Sequence, residues 1–255
     1  MRADALSGRR AVVTGASRGI GAAIAVRLAE AGAQTVLIGR DANALAKQAT
    51  RISNSQSVIC DVTDAAQVEK RFAELLARGP VDILVNNAGA AASAPFVKTN
   101  DEMLERMLSV NLGSAFRCSR AVIPAMLARG HGRIVNISSI AGLRGYPYVT
   151  AYVAAKHALV GFTRALAMEV IRKGITVNAV CPGYTDTDLV RDAASAISEK
   201  TGRSPDDVVH EMIRTNPQGR LIRPEEVAET VAWLCGPETD SITGQAIAVA
   251  GGEIM

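Results

Sequence analysis

The stretch TGASRGIG, Thr14 to Gly21, decides the fold of this 255-residue chain. It follows a short apolar run, RAVVT from Arg10 to Thr14, and opens a helix-forming segment that reaches to about Ala31. That placement makes it the turn between a first strand and a first helix. In such a turn Gly15 allows the tight bend, Gly19 lets the backbone approach a pyrophosphate, and Gly21 lets the helix pack closely on the strand. The free N–H groups of the helix N-terminus then face the anion. Gly15, Ser17, Arg18, Gly19, Ile20 and Gly21 are therefore candidate contacts to a dinucleotide. The spacing, GxxxGxG, differs from the commoner GxGxxG.

Working outward, short apolar runs alternate with helical patterns. Strands are expected at Thr35–Ile38, Ser57–Cys60, Val81–Val85, Arg133–Ile137, Thr176–Val180 and Ala246–Val249. Helices are expected at Asp41–Ile52, Ala65–Ala77, Asn100–Arg129 (one helix or a pair) and Thr150–Lys173, the last with Thr150 as N-cap and Gly174 past its end. Strands alternating with crossover-length helices imply a parallel sheet wound right-handed and covered on both faces. The expected fold class is α/β: a single-domain, Rossmann-type doubly wound sheet of about seven strands spanning residues 1–255. Ligands are expected beyond the carboxyl ends of its strands.

A net charge of +3, carried by basic residues that occur singly or in pairs, argues against nucleic acid. The start of the chain, MRADALSGRR, lacks the apolar core of a signal peptide, and no apolar run is long enough to span a bilayer. Cys60, Cys118, Cys181 and Cys235 are widely spaced, without a CxxC pair. A cytoplasmic setting, with no membrane, is the expectation. His131, His157 and His210 have no second ligand at metal spacing, so no metal site is expected.

The second expected strand ends in Ile38-Gly39-Arg40, where folds that prefer NAD place an acid against the ribose diol. With no carboxylate at that tip, Arg40 and Arg18 are read as partners of a 2′-phosphate, which points to NADP(H). Asp41 is assigned to the N-cap of the next helix. Past the third strand, Asp61 with Val62 either meets the adenine amino group or, like Asp64, caps the following helix. The fourth strand runs into Asn86-Asn87-Ala88-Gly89, small residues and amides suited to close passage of a cofactor. Asn111 lies between Val110 and Leu112, and the fifth strand ends in Ile137-Ser138-Ser139. Tyr152 and Lys156 stand four apart on one helix face. An ammonium beside a phenol favours the phenolate and lowers its pKa from about 10, which makes a usable general acid and base.

TGASRGIG, Asn86-Asn87-Ala88-Gly89, Asn111, Ser139, Tyr152-x-x-x-Lys156 and Pro182-Gly183 together resemble the short-chain dehydrogenase/reductases, from about Arg9 to Met255. The order and spacing of these motifs match as well as their identity. The resemblance implies that Ser139, thirteen positions before Tyr152, is the catalytic serine that orients and polarises a carbonyl. It implies that Tyr152 is the proton donor in reduction. Lys156 would bind the nicotinamide ribose and lower the Tyr152 pKa, and Asn111 would hold a water that feeds protons through Lys156. Asn87 would lie along the cofactor, and Thr185 and Thr187, after Pro182 and Gly183, would reach its nicotinamide end. Only the segment between Arg40 and Asp61 is short for the family.

Within that family the runs GHGRIVNISS, GITVNAVCPGYTDTDL and ITGQAIAVAGG look most like the 3-oxoacyl thioester reductases, with carrier-protein or coenzyme-A substrates. Free ketones, hydroxy acids and polyketides are the alternatives, and a non-catalytic NADP(H)-sensing protein is the outside one. Three stretches are expected to shape the pocket: Ala90–Phe96, Leu143–Val149 and a lid at about 188–223. Arg144 is the cation beside the first two, expected to be solvated. Arg129 and Arg172 hold positions at which the carrier-dependent reductases meet an acidic acyl carrier protein. The helices Asn100–Arg129 and Thr150–Lys173 are apolar on nearly all sides. They are expected to face their copies in a dimer, within a homotetramer.

Overall fold

A computed structural model describes residues 4–254. Seven parallel strands, β1 (Arg10–Thr14), β2 (Gln34–Gly39), β3 (Ser55–Ile59), β4 (Ile83–Asn86), β5 (Gly132–Ile137), β6 (Ile175–Pro182) and β7 (Ala246–Val249), form one sheet in the order β3-β2-β1-β4-β5-β6-β7. The order runs outward in both directions from the β1–β4 pair, so the crevice at their carboxyl ends is the switch point where such sheets bind ligands.

The helices are α1 (Gly19–Glu30), α2 (Ala42–Ala49), α3 (Ala65–Ala77), α4 (Asp101–Leu108), α5 (Ser114–Arg129), α6 (Thr150–Val170), α7 (Asp188–Thr201), α8 (Pro205–Ile213) and α9 (Pro224–Cys235). Neighbouring strand residues point to opposite faces, which explains why the strands read as continuous apolar runs. Val13, Leu37, Val85 and Val135 bury against Ile24 and Leu28 of α1 and Val227 and Val231 of α9. Val12, Val36, Leu84 and Ile134 bury on the other side against Phe72 of α3, Val122 of α5 and Val170 of α6.

Several boundaries differ from expectation for local reasons. Thr150 is the first residue of α6 and Val149 its N-cap, without a side-chain bond; the helix ends at Val170 and finishes as a 3-10 turn, Ile171–Lys173. Asn100–Arg129 is two helices joined by a π-helical turn, Ser109–Gly113, which contains Asn111. Helix α9 was not anticipated, although Pro224 at its first position and Glu226, whose Oε2 accepts from the Arg223 N–H at 2.8 Å, are ordinary start signals.

Arg129 and Arg172 stand where α5 and the turn after α6 lead into the amino ends of β5 and β6. That is the edge of the sheet opposite the switch-point crevice, so within one chain neither flanks its mouth. Arg129 is also committed: its guanidinium pairs with the buried carboxylate of Asp82, which receives Arg9 as well and the Arg10 N–H at 2.8 Å. Among the described residues no helix is long and apolar enough to cross a membrane.

Candidate active site

The glycine turn is clamped from β4. Thr14 Oγ1 accepts from the N–H groups of Asn87 and Ala88, both at 3.0 Å, and Asn87 Nδ2 donates to the carbonyls of Thr14 (3.0 Å) and Gly15 (3.1 Å). Gly15 has φ +65°, the left-handed region. A Cβ on Gly21 would stand 2.3 Å from the Gly15 oxygen and 2.4 Å from Asn87 Nδ2, so the helix start can close on the turn only as glycine. The Asn87 amide nitrogen is thus spent on shaping the turn. Asn87 also lines the cleft.

The cleft holds about 290 Å³ and runs across the carboxyl ends of β1, β2, β4 and β5. Gly15, Ser17, Arg18, Gly19 and Ile20 line one wall, and Arg40, Asp61 and Val62 close one end. Asn111, Ser138, Tyr152 and Lys156 line the other end, and Thr187, Asp188 and Leu189 lie across the opening. A Cβ on Gly19 would stand 3.2 Å from Thr187 Cγ2, across the throat of the cleft. No side chain caps α1, so its first N–H groups are free to face that throat.

Arg18 and Arg40 are both exposed and both border the cleft. Arg18 faces Asp188 at 3.8 Å and Arg40 faces Asp61 at 4.0 Å. Asp41 caps α2 through a bond from the Ala44 N–H at 3.0 Å. Asp64, not Asp61, caps α3. Asp61 Oδ1 instead accepts from the Thr63 N–H and hydroxyl at 2.9 and 2.7 Å, and those bonds with Arg40 hold its carboxyl below the usual carboxylate range against its partial burial.

The far end of the cleft is assembled by a polar ladder inside the sheet. Asn86 Nδ2 donates to Asn136 Oδ1 at 2.8 Å and to Ser119 Oγ at 3.1 Å; Asn136 Nδ2 donates to Thr163 Oγ1 at 2.9 Å. These buried bonds fix α6 against β4 and β5, and so set where Tyr152 and Lys156 stand. Asn136, Thr163 and Ser119 were not singled out in the sequence, because polar residues inside apolar runs carry no sign of their partners.

Ser138 is buried, its hydroxyl donating to the Lys156 carbonyl at 3.1 Å. Ser139 has extended backbone; its Oγ accepts from the Ala141 N–H at 3.1 Å and lies beside the Tyr152 phenol. Lys156 is buried, its Nζ donating to the Ile137 carbonyl at 2.9 Å and standing 5.7 Å from the centre of the Tyr152 ring.

That arrangement reverses the expected electrostatics. Burial pushes the Tyr152 phenol up to about 12, with only Ser139 working against it, and burial pushes the Lys156 ammonium down to about 8. The lysine nitrogen is turned to the strand carbonyl and the ring face rather than to the phenol oxygen, so desolvation of both groups outweighs their pairing. Unfolded, the lysine titrates near its ordinary 10.5. Between pH 8 and 10.5 the unfolded chain therefore binds more protons, and stability rises with pH through that window. Below pH 8 the cost of the buried ammonium, of order 3 kcal/mol, is fully present. Lys156→Met should raise the urea midpoint at pH 7, and the gain should shrink toward pH 10.

Asn111 is bonded to backbone through both ends of its amide. Its Nδ2 donates to the carbonyls of Ala90 (2.9 Å) and Met107 (3.0 Å), and its Oδ1 accepts from the Ala90 N–H at 3.3 Å. It pins the loop after β4 to the π-helical turn. Beyond β6, Thr185 Oγ1 donates to the Gly183 carbonyl at 3.0 Å and Thr187 Oγ1 to the Thr185 carbonyl at 3.2 Å. Of the chain from Pro182 to Thr187, Thr187 lines the cleft. Asp186 N–H donates to the Ile222 carbonyl and Ile222 N–H to the Tyr184 carbonyl, both at 2.8 Å, closing the base of the 188–223 excursion. The stretches at 90–96 and 143–149 are joined by a bond from the Ala94 N–H to the Tyr148 carbonyl at 2.8 Å, with Tyr148 at φ +66°. Among the described residues no group of three His, Cys, Asp or Glu is placed to hold a metal ion.

Comparison with known proteins places this geometry. The family model described as enoyl-(acyl carrier protein) reductase matches residues 15–253. The 3-oxoacyl-(acyl-carrier-protein) reductase of Escherichia coli is 40% identical over 250 residues, covering 97% of this chain and 98% of that protein. The D-beta-hydroxybutyrate dehydrogenase of Rhizobium meliloti is 37% identical over 252 residues, covering 96% and 98%. Among solved structures, a variant of actinorhodin polyketide ketoreductase with NADPH superposes with a TM-score of 0.92 at 38% identity, covering 99% of each chain.

Proposed function

Because this chain belongs to the short-chain dehydrogenase/reductase family of oxidoreductases, we propose that it uses NADP(H) to reduce a 3-oxoacyl thioester, carried on an acyl carrier protein or coenzyme A, to the 3-hydroxyacyl form. The observation that carries this reading is the Tyr152 phenol at one end of the switch-point cleft, with the Ser139 hydroxyl beside it and the Lys156 ammonium over its ring. A phenol that keeps its proton to about 12 is a donor, and Ser139 beside it offers a second hydroxyl to the same carbonyl oxygen.

The residues present fit a dinucleotide. Gly19 leaves open a throat that any Cβ would narrow, the uncapped start of α1 supplies N–H groups for a pyrophosphate, and two exposed arginines flank the end where β2 stops without an acid. When bound, the nicotinamide supplies hydride at its C4. Ser139 orients the carbonyl, Tyr152 delivers the proton to its oxygen, and Lys156 has N–H donors beyond the one given to Ile137 for a ribose hydroxyl. Asn111, committed to Ala90 and Met107, acts by holding the cleft wall next to Lys156. The segment 188–223 serves as the lid.

The likeness to the 3-oxoacyl reductase supports a thioester substrate, and the likeness to the polyketide ketoreductase favours a carrier-bound polyketide ketone as the second reading. The test is NADPH against NADH oxidation with acetoacetyl-coenzyme A. Turnover preferring NADPH is expected. Turnover with NADH alone overturns the cofactor reading, and no turnover with either overturns the thioester reading.

An assembly is part of the proposal. A depression of about 440 Å³, away from the catalytic end, is lined by Leu112, Phe116, Arg120, Ala158 and Phe162, and Leu127, Met168 and Ile171 are exposed on the same helices and the turn that follows. This α5–α6 face suits a second copy, with a tetramer as the full form, and a clean monomer by light scattering would defeat it. The four cysteines are free and buried, which fits a reducing cytoplasm.

A further inference from the structure

We propose that Glu253 is a specificity-determining residue. It cancels the charge of Arg144 on the substrate side of the site, so that the protein accepts 3-oxo substrates with an uncharged acyl end, an ester or thioester, and disfavours free 3-oxo carboxylates. The inference rests on the carbonyl-reduction reading above and deepens it.

The Glu253 side chain is 1% exposed, an unusual place for a carboxylate unless it is paired. Its Oε1 accepts three bonds, from Tyr146 OH (2.8 Å), Thr215 Oγ1 (2.8 Å) and Arg144 Nη2 (3.3 Å). Arg144 Nη1 reaches the Glu253 carbonyl at 3.4 Å, and the guanidinium lies 4.6 Å from the centre of the Tyr146 ring. Arg144 keeps 41% of its side chain exposed, as its sequence context suggests, and is paired as well. The three donors come from the loop before α6 and from the chain after α8; the acceptor comes from the chain after β7.

All of these segments meet at the carboxyl end of the sheet, on the side of the catalytic phenol. Glu253 Oε2 is 3.8 Å from where a Cβ on Gly183 would stand, directly after β6. Tyr184, the next residue, is raised by burial and by the Glu253 charge and lowered by Arg144. Tyr184 in turn is among the groups that raise Tyr152. The charges at 144 and 253 thus lie beside the chain that leaves β6 for the lid, and Thr215 ties them to the lid's far end.

An unpaired Arg144 there would bind a carboxylate through a forked, charge-assisted contact. Paired with Glu253, it offers no net charge, and an incoming carboxylate meets a buried one of like sign. Leaving Glu253 buried without its partner is costly, so a substrate anion does not displace it cheaply. The lid supplies no substitute at three of its arginines: Arg191 is held by Asp186 and Asp188, Arg214 by Glu211, and Arg220 by Glu226. A neutral ester meets none of these penalties. The device is repulsion of the wrong substrate rather than added attraction for the right one.

The experiment compares ethyl acetoacetate with acetoacetate, the same 3-oxo unit without and with a charge, in wild type, Glu253→Gln, Arg144→Gln and the double variant. Glutamine keeps an oxygen for the three donors and removes the charge. For Glu253→Gln the ratio of kcat/KM for acetoacetate over that for the ester should rise about tenfold. It should fall in Arg144→Gln, and the double variant should lose the gain. Calorimetry of acetoacetate with protein saturated by NADP+ gives the same comparison without turnover, and about tenfold tighter binding by Glu253→Gln is expected. If neither the ratio nor the binding changes, the proposal is overturned. If no variant reduces the ester but the binding gain appears, the reduction reading fails while the charge cancellation stands.

Discussion

Tyr152→Phe should lower kcat about 10³-fold, equivalent to about 4 kcal/mol of transition-state stabilisation, while NADPH binding is kept. The change removes one oxygen. The ring stays packed against the cluster of Met107, Ala151 and Ala155, so the fold should hold. The loss is large because proton delivery rests on this group. Lys156 is engaged with the Ile137 carbonyl, and Ser139 is an ordinary hydroxyl that also caps the turn at Ala141. Single-turnover rates with acetoacetyl-coenzyme A, alongside NADPH fluorescence titration, measure the two quantities separately. A variant with more than a tenth of wild-type kcat would remove Tyr152 from the acid role. A wild type and a variant that bind NADPH equally and turn over nothing would favour the cofactor-sensing alternative.

Replacing both Arg18 and Arg40 by alanine should weaken NADPH binding about a hundredfold, or about 3 kcal/mol, and leave NADH nearly unchanged. Each guanidinium offers a charge-assisted contact to a phosphate that NADH lacks. Both side chains are exposed, 67% and 79%, and their present partners Asp188 and Asp61 are at 3.8 and 4.0 Å, so thermal stability should barely move. The single variants separate the contributions. If both arginines hold the phosphate, each single change costs part of the effect. If only one does, that single variant matches the double. Equal loss of NADPH and NADH would mean that the arginines act on the shared part of the dinucleotide, and the 2′-phosphate assignment would fail.

Much of the architecture was legible because the fold is written in local rules. Glycine at three positions of one turn, apolar runs of strand length and helical segments between them specify a parallel sheet without any tertiary information, since a strand buried on both faces must be apolar throughout. Helix α3 and strand β7 lie where periodicity alone puts them. Helix α9 was equally readable from Pro224 and Glu226, but lay beyond the motifs that drew attention. A break within Asn100–Arg129 was allowed for, but its position was not readable. A π-helical turn costs little in composition, and its cause, Asn111 bonding to Ala90 across the loop, is a contact between distant residues.

The site divides in the same way. Sequence by itself placed Gly15, Ser17, Arg18, Gly19, Ile20, Arg40, Asn87 and Tyr152 at the cleft, because each sits just past the carboxyl end of a strand or in the first turn of the helix that follows it; Asn111 and Lys156 also line it, from the turn between α4 and α5 and from the second turn of α6. Chain order in a doubly wound sheet brings those ends together. What each group does with its charge was decided only by tertiary structure. The sequence implied a phenol lowered by its lysine. The fold buries the lysine and half-buries the phenol, lowering one and raising the other, and turns the lysine to the Ile137 carbonyl. It joins Arg144 to Glu253, more than a hundred residues away, and pairs Arg129 with Asp82 at the amino edge of the sheet. Side-chain electrostatics depend on burial and on partners supplied by other elements, and neither quantity exists until the chain has packed.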